Sequence, residues 1–388
     1  MEITHEKACL CALNRIFGFE PKIALALISF LGNATEVFAL DPAERDRILG
    51  PHSKHRGCMT GKALAEAYAE LERLKSQGIT FIGYDEAGYP ELLKECEDPP
   101  VGLYINSSTP VDQLWTDRKP IAIVGTRDIS PYGKEWCERL VRALADTPQE
   151  DRPVIVSGLA LGTDVCAHRT ALECGLPTIA VMATGQDSIY PARHEHVARQ
   201  IAEAPGSALM TDYPPGTAPL AVHFLRRNRI IAGLSEAVVL IESKIKGGGM
   251  MTARLADSYN RDVFALPGRV DDIRSQGCNF LIRNKTASPL ISIEDFIKEM
   301  GMTAGRKNRK ESDTDRLTRL YKGSLTDDRI TVMSRILLAI RKERGISIDD
   351  MAVRLGLEYH KVAQMTGMLE TDGVITTDLL QRCFINFR

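Results

Sequence analysis

Six short apolar runs set the tightest limit on what this chain folds into: Ile121–Val124, Val154–Val156, Thr178–Met182, Ala208–Thr211, Ala237–Ile241 and Val263–Leu266. Each is continuous, four of the six are rich in β-branched residues, and stretches of helical spacing separate them. A strand that is apolar at every position is buried on both faces, which a parallel sheet covered by helices provides. The runs therefore predict a doubly wound α/β fold, with ligands bound beyond the carboxyl ends of the strands.

The flanks differ from this core. Apolar residues in 8–31 and 60–74 recur at helical spacing (Leu10, Leu13, Phe17; Leu64, Ala67, Leu71, Leu74), with breaks at Gly18, Gly32 and Gly50-Pro51. Residues 1–78 thus predict a small all-helical domain. Ile79-Thr-Phe-Ile-Gly83 and Gly102-Leu-Tyr-Ile105 are short strands that open the α/β domain, 79–301. Residues 302–330 are charged and weakly patterned, as in a linker. Helical spacing resumes over Thr331–Glu343, Ser347–Leu355 and Tyr359–Asp372, followed by short strands Val374–Thr377 and Arg382–Asn386. Three short helices and a terminal hairpin predict a winged helix-turn-helix over 331–388. A length of 388 residues has room for such a division.

Composition narrows the setting. The nine cysteines are scattered, with no paired C-x-x-C spacing, so neither a disulfide framework nor a zinc site is expected. No apolar run is long enough for a membrane span, and Met-Glu-Ile-Thr-His-Glu-Lys lacks the basic start of a signal peptide; a cytoplasmic protein is expected. The net charge of −2 hides an asymmetry. Residues 1–116 carry 11 basic and 17 acidic side chains, whereas 219–287 carry 11 and 6. A local basic stretch fits an anionic partner held in one place.

The turns after the strands show where that place is. Gly125-Thr-Arg127-Asp-Ile-Ser-Pro131 follows the first run, and it is not the G-x-G-x-x-G of a dinucleotide site. It offers a glycine turn, an arginine and helix-start amides suited to a phosphate. Ser157-Gly158-Leu-Ala-Leu-Gly162 and Gly247-Gly248-Gly249 repeat the device, and three such turns converge on one edge of a parallel sheet. Phe224-Leu-Arg226-Arg227-Asn228-Arg229 adds cations for phosphates and an aromatic face for a base, as single-stranded nucleic acid requires. Neighbouring helical residues diverge by ~100°, so the three arginines divide between ligand, solvent and internal partners. Catalytic groups are not expected. Ser157 lacks the G-x-S-x-G elbow, His194-Glu195-His196 has the wrong spacing for a zinc helix, and Asp164 with His168 suits a structural hydrogen bond.

The order of motifs resembles the DNA-processing protein A (DprA/Smf) family over roughly residues 79–300. The matching segments are Gly125-x-Arg127-x-x-Ser130-x-Tyr132-Gly133, Ser157-Gly-Leu-Ala-x-Gly162-x-Asp164-x-x-Ala167-His168 and Gly185-x-Asp187-x-x-Tyr190-Pro191. Tyr213-Pro-Pro-Gly216, Phe224-x-x-Arg227-Asn228-Arg229-Ile-Ile-Ala-Gly-Leu-Ser235 and Phe264-Ala-x-Pro267-Gly268 follow. The resemblance implies a Rossmann-like core, a SAM-like helical front and a winged-helix C-terminus. It implies a non-catalytic protein without cofactor that binds and protects incoming single-stranded DNA and helps load RecA recombinase during natural transformation. It implicates Arg127, Ser157, Gly158, Arg227, Asn228, Arg229 and Gly247–Gly249 in the DNA groove; Phe224 and Thr252 complete the candidate set. It also implies a homodimer, for which residues 270–282 (Val270, Ile273, Phe280, Leu281, Ile282) are the candidate contact.

There are departures. Gly248-Gly249-Met250-Met251 lacks a hydroxyl the family often has there, Thr286-Ala287 replaces a Gly-Ala, and Phe17-Gly18-Phe19-Glu20 replaces a Pro-Gly-Ile-Gly hairpin. Two other classes remain in view. The nucleotide phosphoribohydrolases share the fold, but Leu255 falls where their glutamate would stand. A transcription regulator would need more than His360 and Lys361 as cations on the helix Tyr359–Asp372.

Overall fold

Among the described residues a nine-stranded sheet organises the first of two units into which the chain divides, 1–305 and 306–388. In this computed structural model the residues described are 3–115, 118–303, 317–318, 320–321, 325–343, 345–378 and 381–385. The expected linker, 302–330, falls largely outside them.

Five helices come first: α1 (His5–Phe17), α2 (Pro21–Leu31), α3 (Ala34–Ala39), α4 (Pro42–Leu49) and α5 (Gly61–Ser76). Thr4 and Thr60 start α1 and α5 by accepting the backbone N–H three residues on. Leu10, Leu13, Phe17, Leu71 and Leu74 then form a core that also takes in Ile79, Phe81 and Tyr104 from the next two strands. These are β1 (Ile79–Gly83) and, after the short α6 (Glu91–Lys94), β2 (Gly102–Asn106). Within that core the Glu70 carboxylate accepts from Tyr104 Oη at 2.7 Å and pairs with Arg15.

The six apolar runs become β3 (Pro120–Val124), β4 (Val154–Ser157), β5 (Thr178–Val181), β6 (Ala208–Thr211), β7 (Ala237–Leu240) and β8 (Asp262–Ala265). Between them lie α7 (Pro131–Ala145), α8 (Thr163–Glu173), α9 (Glu195–Glu203), α10 (Ala221–Gly233) and α11 (Gly248–Ser258); α12 (Gln276–Arg283), β9 (Ser288–Pro289) and α13 (Ile293–Glu299) follow. The strand order is β1-β2-β6-β5-β4-β3-β7-β8-β9, parallel from β6 to β9, with β1 and β2 antiparallel at one edge.

Continuous apolar strands are explained by two-sided burial. Ala122, Val124, Val154, Val156, Val238 and Leu240 face one layer with Ile230, Ile231, Met250 and Ala253 of α10 and α11. Ile121, Ile123, Ile155 and Val239 face the other, with Leu140 and Leu144 of α7, Ala167 of α8 and Phe296 of α13. Each Val, Leu, Ile, Met or Phe among them contributes ~1.5–3 kcal/mol by leaving water, and both layers draw on the same strands.

In the second unit α14 (Asp327–Lys342), α15 (Ile348–Leu355) and α16 (Tyr359–Thr371) precede an antiparallel pair, β10 (Ile375–Thr377) and β11 (Cys383–Ile385). α14 begins four residues before the expected Thr331, because Asp327 and Asp328 meet the positive end of the helix after Thr326. Asn386, the expected last strand residue, lies outside the described residues.

Candidate nucleic-acid interface

The chain runs outward from β3 to β6 and then returns to place β7 beside β3, so the order reverses between these two strands. Beyond their carboxyl ends opens a cleft of about 530 Å³, the expected ligand position in an open parallel sheet. Its lining includes Gly125, Thr126 and Arg127 after β3, Ala160 and Asp164 after β4, and Ser243, Lys244 and Gly247–Gly249 after β7. The three glycine turns of the sequence are thus brought together. α10 forms the remaining wall with Phe224, Leu225, Arg227 and Asn228.

The three helix starts differ, and α11 leaves two consecutive N–H groups without a partner among the described residues. At α7, Ser130 Oγ accepts the Gly133 N–H at 3.1 Å, and the buried Glu242 carboxylate accepts Ser130 N–H at 2.9 Å and Oγ–H at 2.5 Å. The Ser130 and Gly133 amides of this start are thus answered internally, by Glu242 and by the Ser130 hydroxyl. At α8, Thr163 N–H donates to Thr126 O at 3.1 Å, while Asp164 accepts the Ala160 N–H at 3.4 Å. At α11 the N-cap is Gly247, which has no side chain to cap with, and the Gly248 and Gly249 N–H groups have no hydrogen-bond partner among the described residues. A Cβ on Gly249 would lie 2.6 Å from Leu240 Cδ1 and 3.3 Å from Gly125 Cα, so only glycine lets this turn pack against the first.

Tertiary structure sends the arginines of α10 to three places. Arg226 leaves the cleft for the carbonyls of Gly18 and Phe19. Arg227, 3% exposed, lies in the cleft floor, where its Nη1 donates to Gly158 O at 2.7 Å and to Val181 O. Burial pushes its pKa down to about 10, Asp164 opposes the fall, and the charge of Arg127 adds to it. Gly158 is required beneath it, since a Cβ would come 2.5 Å from Arg227 Cζ. Arg229 is buried away from the cleft, with Nη2 2.6 Å from Asp212 Oδ2 and Nη1 on Asp98 O. Two positions beyond Arg227 it points ~200° around the helix, toward the carboxylates. Ser157 is likewise outside the cleft lining: it is buried at the end of β4 and its hydroxyl donates to Ile123 O at 2.7 Å.

Arg127 is exposed and lies 5.2 Å from the Phe224 ring, which Tyr190 meets edge-on at 5.3 Å. The α11 turn, Gly247–Gly249, and Thr252 line the cleft as well. Asn228 is 9% exposed and lines the cleft with its amide unpartnered among the described residues. Sequence reasoning missed Lys244, an exposed cation in the lining, although Lys244-Ile-Lys246 directly precedes the glycines. It also left Tyr190 unassigned despite the motif containing it. His168 does not meet Asp164. Its Nδ1–H donates to Thr178 Oγ1 at 2.7 Å and its Nε2 accepts Leu159 N–H at 3.3 Å, and burial with the nearby Arg227 and His194 pushes its pKa down to about 3. His194 Nδ1–H donates to Leu159 O at 2.8 Å, so two histidines hold this residue at its positive φ of 57°. Chemically, the cleft offers two exposed cations, two helix amides and a free carboxamide for phosphate oxygens beside an aromatic plane.

Among the described residues no helix is long and apolar enough to cross a membrane. Residues 80–301 match the family model of DNA recombination-mediator protein A. The chain is 37% identical over 231 residues to Protein Smf of Synechocystis sp., a match covering 60% of this chain and 56% of that protein, so it spans about half of that relative's length. It is 34% identical over 260 residues to DNA processing protein DprA of Streptococcus pneumoniae, covering 66% of this chain and 88% of the relative. The X-ray structure of DNA processing protein A from Streptococcus pneumoniae is similar at a TM-score of 0.61 and 30% identity, over 77% of this chain and 99% of that one. A structure of DNA processing protein A from Helicobacter pylori, described for its single-stranded DNA binding mode, is similar at 0.50 and 32% identity over 57% and 95%. With the matched model covering more than half of its length, the chain belongs to the DNA recombination-mediator protein A (DprA/Smf) family.

Proposed function

We propose that this protein binds single-stranded DNA in the cleft between β3 and β7, without sequence preference and without catalysis, and promotes RecA loading onto that DNA during natural transformation. The observation that carries the reading is the convergence of Arg127, Lys244, Asn228 and the open α11 amides beside Phe224 at the sheet's switch point. In this reading Arg127, Lys244, Asn228, Gly248 and Gly249 hold phosphates, Phe224 and Tyr190 meet a base, and Thr252 backs the phosphate side. Gly158, Arg227 and Gly247 shape the floor, whereas Ser157 and Arg229 act from beneath it. A non-catalytic role is supported by Leu255, which packs against the core where a phosphoribohydrolase would carry its glutamate. The Helicobacter relative's described single-stranded DNA binding supports the ligand class.

We read α1–α5 as the SAM-like domain and residues 331–388 as the winged helix. The chain is taken to work in the cytoplasm as a homodimer. Val270, Ile273 and Phe280, all exposed, support the segment 270–282 as its contact.

Fluorescence anisotropy of the full chain with a labelled oligothymidylate tests the ligand. Log affinity should fall with log salt at ~0.7 per phosphate neutralised, and Arg127→Ala or Lys244→Ala should each flatten that slope by about one phosphate. Absence of binding at low salt would overturn the reading. For the RecA role, substoichiometric protein should accelerate RecA filament formation on DNA coated by single-strand-binding protein; inhibition at every ratio would leave a DNA-binding protein only.

A further inference from the structure

Arg226 stands between two residues of the cleft lining, Leu225 and Arg227, yet reaches the other way. Its Nη2 donates to Gly18 O at 2.6 Å and its Nη1 to Phe19 O at 2.5 Å, and the guanidinium lies 4.3 Å from the centre of the Phe19 ring. These carbonyls follow the last turn of α1, where the helix dipole ends negative, so the cation is favoured there twice over. Phe19 also packs on His223 of α10 at 5.6 Å. Asn14 of α1 donates to Asp212 O at 2.9 Å, and Asp212 is the partner of Arg229. The end of α1 and the turn after it therefore hold α10 at two points.

α10 needs outside support where it forms the cleft wall. Its N-cap is Leu220, which makes no side-chain cap, and Leu220, Val222 and Leu225 are all exposed. The half of the helix that bears Phe224 has neither a capping group nor a continuous buried stripe.

We propose that the turn between α1 and α2 holds the α10 wall of the cleft in its binding position, with Arg226 as the positioning residue, so that strand binding and docking of this turn are coupled. The proposal rests on the cleft being the single-strand site. Coupling of this kind is reciprocal: a strand in the cleft tightens the clasp, and anything that displaces Phe19 loosens the cleft. It also gives the Phe17-Gly18-Phe19-Glu20 segment an internal task in place of the phosphate grip of a glycine hairpin.

The test uses the full chain and a labelled oligothymidylate. Arg226→Ala should weaken binding about tenfold while leaving the salt slope unchanged, because no phosphate contact is removed. Arg226→Lys, able to serve one carbonyl, should lose only about threefold. In a Phe19→Trp chain the emission in excess of that from Trp115 and Trp136 should change when the oligonucleotide is added, and should not change when Arg226→Ala is also present. Should Arg226→Ala fail to fold, Arg226→Lys and Phe19→Trp carry the test alone. Parent-like affinity in Arg226→Ala or Arg226→Lys would overturn the proposal, as would a slope reduced by a full phosphate, or a tryptophan indifferent to DNA. Failure of the parent chain to bind at all would instead remove the reading of the cleft.

Discussion

Replacing Arg229 by alanine separates support from ligand in the arginine cluster. Arg229 and Asp212 are both about 5% exposed, and their Nη2–Oδ2 distance is 2.6 Å. Among the described residues Asp212 Oδ1 has no hydrogen-bond partner, so the guanidinium is what balances this carboxylate. Removing it leaves a buried charge unpaired and also frees the carbonyl of Asp98. Breaking a buried pair from one side costs about 3–5 kcal/mol, a large part of an ordinary domain's stability. At ~2–4 °C per kcal/mol the melting temperature of the variant should fall by roughly 6–20 °C. Urea unfolding followed by circular dichroism measures the loss directly. Asp212→Asn added to Arg229→Ala should recover part of it, because the orphaned charge is gone. In the folded variant the salt dependence of oligonucleotide binding should match the parent. A loss below ~1 kcal/mol together with a slope flattened by ~0.7 would refute this reasoning and return Arg229 to the DNA.

Gly158→Ala should push the Arg227 guanidinium off the Gly158 and Val181 carbonyls and destabilise the fold by ~2–3 kcal/mol in urea; a neutral result would show that Arg227 has another place to go. Acid should weaken the fold through His168, whose pKa of about 3 in the folded chain lies below its ordinary 6.5. Below pH ~6.5 the unfolded chain takes up a proton that the folded chain does not, so this stability is full above that pH and falls by ~1.4 kcal/mol per unit down to about pH 3. Asp164, raised by burial, works in the opposite sense. Urea titrations near pH 7 and pH 5 should differ by about 2 kcal/mol in the parent and by less in His168→Gln.

The central strands are legible in the sequence alone. Runs such as Ile121–Val124 and Ala237–Ile241 are apolar at every position, and that pattern has few homes other than a strand buried on both faces. Because strands of a doubly wound sheet end on one edge, the glycine turns after them were bound to converge, and the cleft was legible before its geometry was known. The destinations of individual side chains were not. Arg226, Arg227 and Arg229 look equivalent in the sequence, but a helix sends them in different directions, and what waits in each direction comes from distant segments: Gly18, Val181 and Asp212. The helix starts were equally ambiguous. Pro131 with Ser130 and Gly248 with Gly247 both signal a free N-terminus, yet Glu242, 112 residues away in the chain, fills the first and nothing among the described residues fills the second. Lys244 carries no signal of its own in the sequence, since a lysine beside glycines is ordinary until the fold places it in a cleft. Periodicity is local and survives in sequence, whereas the partner of a charge is set by whichever segment folding brings within a few ångströms of it.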